Sequence, residues 1–143
     1  MTPSVRDVLA GVAVALARPL SPDVGPEYAA GRFGMISTLV MLAAQQAETA
    51  AGAAIAENAD MRAIFASAAG AYDAGLGGRL AKAAAETDTD LSVPALDAAN
   101  AGLRRLLIEL HQAVEAADDA ASDEQITALY VRMAAVRRLE LGR

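Results

Sequence analysis

No cysteine and no tryptophan occur among the 143 residues, and the aromatic side chains amount to three tyrosines and two phenylalanines. Without cysteine, disulfides, zinc–thiolate sites, iron–sulfur clusters and thiol nucleophiles are excluded, and no redox clue to the compartment remains. Histidine is almost as scarce, since His111 stands alone. Positive charge is thin too. Twelve Lys and Arg face eighteen Asp and Glu, a net charge of −6 spread over both halves of the chain. No basic stripe could displace counterions from a phosphate backbone, so nucleic-acid binding is not expected.

Apolar runs of membrane length are also missing. "RFGMISTLVMLAAQQAE" (32–48) holds fifteen uncharged residues, Phe33 to Ala47, with Ser37, Thr38, Gln45 and Gln46 among them. A span needs about 18–20 apolar residues. The stretch reads instead as the buried central helix of a bundle, with Ala43, Ala47 and Ala51 as a ladder where a neighbouring backbone approaches. Near the start, Val8 to Ala17 forms a ten-residue apolar run ending in Ala15-Leu16-Ala17, which resembles a cleavage signal. Asp7 abuts that run, and Val5, Val8, Leu9, Val12 and Leu16 repeat at helical spacing. The expectation is an amphipathic helix of a cytoplasmic protein, with export the alternative if residues 1–17 act as a signal peptide.

What the chain has in quantity is alanine: 37 residues, about a quarter of the total. Alanine is the best helix former and the smallest core residue, so it favours long helices packed closely. No segment alternates apolar and polar as a strand would. The class is all-α, as an antiparallel, four-helix-bundle-like single domain over residues 1–143.

The prolines fall between the predicted helices. Pro3 opens a helix over about 3–17, and Pro19, Pro22 and Pro26 stiffen a connector. A second helix runs from about Glu27 to Glu57 and continues, after a kink at Asn58 or as a separate piece, through Met61, Ile64, Phe65 and Ala68. Four glycines (Gly70, Gly75, Gly77, Gly78) break the pattern and mark 70–92 as a flexible excursion, with room for a short helix near 76–85. Over about 93–118, Val93, Leu96, Asn100, Leu103, Leu107, Leu110, Val114 and Ala117 alternate steps of three and four, an a/d seam. Ser92 is its expected cap. Ser122 and Gln125 make a capping box for the last helix, which carries Ile126, Leu129, Met133 and Val136.

Candidate chemistry is sparse. His111 borders the seam four residues before Glu115, which reads as a general base polarised by a carboxylate or as a plain surface pair. A di-iron centre needs two Glu-x-x-His motifs, and Ile108 precedes His111 where Glu would stand. Glu48 and Glu57 are expected to face solvent, and Glu109 to pair with Arg105. "DTDLS" (88–92) opens like a calcium loop but lacks the glycine and the closing glutamate, since Val93 and Ala99 occupy those places. "GLGGRL" (75–80) has neither the preceding strand nor the Lys-Ser/Thr of a phosphate loop. The C-terminal arginines (Arg132, Arg137, Arg138, Arg143) read as cations complementing a helix end.

Asn100, the polar member of an apolar seam, is the position that fixes register in coiled coils, bonds a backbone group near the 86–92 turn, or lends a polar group to a ligand pocket. Tyr28, Arg32 and Tyr130 would form a polar cluster if their helices are neighbours. Asn100, His111, Tyr28, Arg32 and Tyr130 are therefore the candidate ligand-binding residues; no catalytic set, metal site or cofactor is expected. Eleven Arg to one Lys, with the alanine excess, suggests a bacterial genome rich in GC. The expected function is a non-catalytic module that binds another protein or itself, plausibly as a homodimer. The alternative is a binder of a small hydrophobic ligand between helices, lined by adaptable Met35, Met41, Met61 and Met133.

Overall fold

The computed structural model describes residues 5–16 and 26–138, and every regular element there is helical. Helix α1 spans Val5–Leu16 and α2 spans Pro26–Ala68. A 3-10 turn, Ala69–Ala71, leads to α3 (Ala74–Ala85), followed by α4 (Val93–Ala116) and α5 (Ala120–Val136). No described helix is long and apolar enough to cross a membrane. Pro3, the Pro19–Pro22 connector and Arg143 lie outside the described residues.

The described residues divide into two compact units, one up to Ala50 together with Arg138 and the other Ala51–Arg137. In the first unit α1 meets the leading half of α2. Ala13 is buried, and its carbonyl accepts a hydrogen bond from Ser37 Oγ at 3.3 Å. Leu9 and Ala10 are half-buried beside Ala13, whereas Val5, Val8 and Val12 are exposed. The inward face of α1 is therefore its alanine side, where short side chains let the helices approach, and not the valine stripe its spacing predicts.

The second unit holds the aliphatic core. Met61 and Phe65 of α2, Leu80 of α3, Leu103, Leu107, Leu110 and Val114 of α4, and Ile126, Leu129 and Met133 of α5 are all buried together. The α4 seam behaves as its spacing predicts from Leu96 to Val114, while Val93 at the helix start is exposed.

Local signals differ from expectation at three places. Residues 70–92 are not simply a glycine-broken excursion, because α3 occupies half of them and delivers Leu80 to the core. Gly77 makes that docking feasible. A Cβ there would sit 2.5 Å from the Ala69 carbonyl oxygen and 2.9 Å from that of Tyr72. The α5 cap is Asp119, not Ser122: its Oδ1 accepts the Ser122 N–H at 3.2 Å and its Oδ2 accepts the Ser122 hydroxyl at 2.6 Å. Aspartate is as good an N-cap as serine, and Ala120 and Ala121 extend the helix back to it. Asp118, just before, takes φ 54°, the left-handed conformation that asparagine and aspartate tolerate best after glycine. Finally, Ser92 occupies the N-cap position of α4 without a side-chain cap bond, its own N–H going to Asp90 Oδ1 at 2.9 Å.

Candidate functional site

Asn100 is buried, as its place on the seam demands, and it anchors a polar network within the apolar second unit. Its Nδ2 donates to Glu57 Oε2 at 3.1 Å and to Asn58 Oδ1 at 2.9 Å. Its Oδ1 accepts from Arg104 Nε, one turn along α4, at 2.7 Å. The carboxamide therefore ties α4 to α2, instead of bonding the backbone of the 86–92 turn. Asn58 reaches that turn, donating through Nδ2 to Asp88 Oδ2 at 3.2 Å.

Glu57, expected in solvent, is only 2% exposed. Arg104 Nη2 donates to its Oε2 at 2.9 Å, and Arg137 grips both oxygens, Nε to Oε1 at 2.5 Å and Nη2 to Oε2 at 3.0 Å. Burial pushes the Glu57 carboxyl up, but the hydrogen bonds from Arg137, Arg104 and Asn100 outweigh it and hold the group below its usual range. Arg62 makes the second fork, with Nη1 and Nη2 on the two oxygens of Asp88 at 2.8 and 2.7 Å. The Arg62 hydrogen bonds lower the Asp88 carboxyl further than its burial raises it. Asp88 is thus held by Arg62 and Asn58 together. Among the described residues no group of three or more His, Asp or Glu gathers as a metal would require.

Sequence reasoning missed Glu57, Asn58, Arg62, Asp88 and Arg137 as one network. One signal was available: Ala54, Asn58, Met61 and Phe65 follow helical spacing, and all four are buried. Asn58 in that phase calls for a partner, since a buried amide without one is costly.

His111 is half-buried and pairs across helices, its Nε2 lying 2.8 Å from Asp123 Oδ1 on α5, where a pairing with Glu115 of its own helix was expected. The ring also meets Tyr130, centroids 5.7 Å apart and tilted by 49°. These contacts join α4 to α5. Glu109 likewise pairs with Arg79 of α3, at 2.6 Å, instead of Arg105. The Tyr28 side chain lies outside the described residues and Arg32 belongs to the first unit, while Tyr130 belongs to the second, where its ring meets His111.

The first unit carries the other notable feature. Phe33, Ser37, Val40 and Ala44, at steps of four, three and four, form the face of α2 that is buried or half-buried. Met35, Leu39 and Leu42 form an opposite stripe, with Met35 67% and Leu39 58% exposed and Leu42 half-buried. Ile36 and Met41 flank it and are exposed as well. The stretch 33–47 is thus a helix apolar on both sides but covered on one, a correction to its expected complete burial. Val5, Val8 and Val12 add an exposed aliphatic stripe on α1. No family model, curated protein or solved structure matches the chain.

Proposed function

We propose that this chain is a non-catalytic helical module that acts by binding another protein or itself, through the aliphatic surface of its first unit. The observation that carries the reading is the Met35–Leu39–Leu42 stripe opposite the stripe that faces inward. A helix layer apolar on both faces calls for a second layer. Because Phe33 to Ala47 has no charge, nothing there selects a charged partner, and a second copy is the simplest complement. Two α1–α2 pairs would together supply the four helices of an ordinary bundle. A bacterial cytoplasmic setting belongs to the same reading, from composition and from Asp7 beside the first apolar run.

Sedimentation velocity across micromolar concentrations, with native mass spectrometry, tests it. The expected result is a dimer of the 14.6 kDa chain. Leu39→Glu should weaken it roughly a hundredfold or more, because burying one large aliphatic side chain is worth about 1.5–3 kcal/mol and a two-fold interface uses it twice. A chain that stays monomeric throughout, with Leu39→Glu without effect on its solubility or on capture of any partner, would overturn the reading.

The alternative, a small hydrophobic ligand held between helices, meets a cleft of about 170 Å³ in the second unit. Ordinary ligand pockets occupy roughly 300–1,000 Å³, so this cleft is small for an acyl chain or drug-sized molecule, and none of Met35, Met41, Met61 and Met133 lines it. That reading ranks second.

A further inference from the structure

We infer that the cleft beside the Ala69–Ala71 turn, between α4 and α5, is a binding site for a small apolar molecule bearing a primary ammonium group. This goes beyond the self-association proposed above and uses the other unit. The floor is aliphatic: Leu110, Val114 and Ile126 line it and are almost wholly buried, with half-buried Ile64 alongside. A volume of about 170 Å³ matches an aromatic ring or short branched alkyl group, since an engineered apolar cavity of about 150 Å³ accepts benzene.

Electrostatics at the rim select the other end of the ligand. Among the lining residues Asp119 is the one carboxylate, and no Lys, Arg or His stands with it. Its oxygens accept from the Ser122 N–H and hydroxyl, which fixes the carboxylate while leaving further lone pairs for an incoming donor. The same bonds hold Asp119 below the usual carboxylate range, so it is charged at neutral pH. Tyr72 borders the cleft, and burial together with the nearby Asp119 keeps its phenol protonated. An ammonium therefore finds a negative oxygen and a phenol side chain lining an apolar slot. An anionic head group would meet repulsion.

The test is a ¹H–¹⁵N NMR titration of the full chain with benzylammonium and, separately, benzyl alcohol, which has a similar size and no charge. Saturable shifts centred on Leu110, Val114 and Ile126 are expected for both, with the ammonium preferred by about threefold or more at low salt, the scale of one exposed ion pair. Asp119→Asn keeps the helix cap and removes the charge. It should abolish the preference while leaving benzyl alcohol bound. Ala71→Phe places bulk at an exposed rim position and should abolish binding of both. No saturable shift at those three residues, equal affinity for the two probes, or a preference that survives Asp119→Asn would each overturn the inference.

Discussion

Arg137, the C-cap of α5, reaches back eighty residues to clamp the buried carboxylate of Glu57 on α2. The pair is lopsided, since the Glu57 side chain is 2% exposed while that of Arg137 is 47% exposed. The carboxylate depends on the arginine, whereas the arginine can return to water. Removing either partner therefore has unequal consequences.

Arg137→Ala leaves Arg104 and Asn100 still bonded to Glu57, so a loss of about 1–2 kcal/mol is expected. Glu57→Ala strips the acceptor from three donors, one of them the buried Asn100, and should cost more, about 2–4 kcal/mol. Urea unfolding followed by circular dichroism measures both. Equal losses would show that the buried end of the pair is not the sensitive one.

Acid should reveal the same carboxylates. Glu57 and Asp88 sit below their ordinary values of 4.5 and 3.8 in the folded chain, Glu57 despite its burial and Asp88 chiefly through Arg62. Their contribution is therefore complete above the ordinary carboxylate range and is lost as pH falls through it toward the lower folded values. The urea midpoint should be flat from pH 7 to about 5.5 and decline between about pH 5 and 3. The Glu57→Gln, Asp88→Asn double variant should start lower and decline less steeply; a parallel decline would assign the acid sensitivity to other groups.

Asn100→Asp changes one amide to a carboxylate with almost no change of shape. It replaces a donor with an acceptor facing Glu57 Oε2 and Asn58 Oδ1, now 3.1 and 2.9 Å away. Repulsion should cost about 2 kcal/mol or more at pH 7, partly recovered as acid neutralises one of the two carboxyls. NMR titration of the Glu57 carboxyl should show it moved upward. A stability equal to that of the parent would mean that Arg104 alone governs this position.

Two glycines one residue apart in α3 should respond in opposite directions. Gly78 has open space where a Cβ would go, so Gly78→Ala should stabilise by about 0.5–1 kcal/mol through helix propensity. Gly77→Ala drives a methyl group into two carbonyl oxygens and should destabilise by about 1–3 kcal/mol despite the same propensity gain. Thermal and urea unfolding of the two variants decide it. Matching effects would show that α3 shifts freely against the Ala69–Ala71 turn.

Much of α4 could be read in advance because its residues from Leu96 to Val114 keep one face through a run of three- and four-residue steps. Asn100 stood out there for the same reason, as the polar residue on an apolar line. Glu57 and Arg137 did not, because hydrophobic pattern assigns a charge to the outside unless its partner is known, and that partner lies eighty residues away. Residues 33–47 failed differently. Apolar character records which side chains favour leaving water, but not whether the chain itself supplies the cover. On α1, valine outranked alanine by size, yet the tight contact chose Ala13. His111 was correctly noted at the seam border, but an i, i+4 rule could only offer it Glu115, and Asp123 comes from the next helix.

The fork between Arg62 and Asp88 moors the seven residues from Glu86 to Ser92 at the third of them. A protease needs several consecutive residues to leave the surface and extend into its cleft. Here such an excursion must first break two hydrogen bonds to an arginine and one to Asn58. Lacking helix and mostly exposed, the segment looks like the natural place to nick the second unit. It should instead be cut slowly, and Arg62→Met should turn it into the preferred cleavage site.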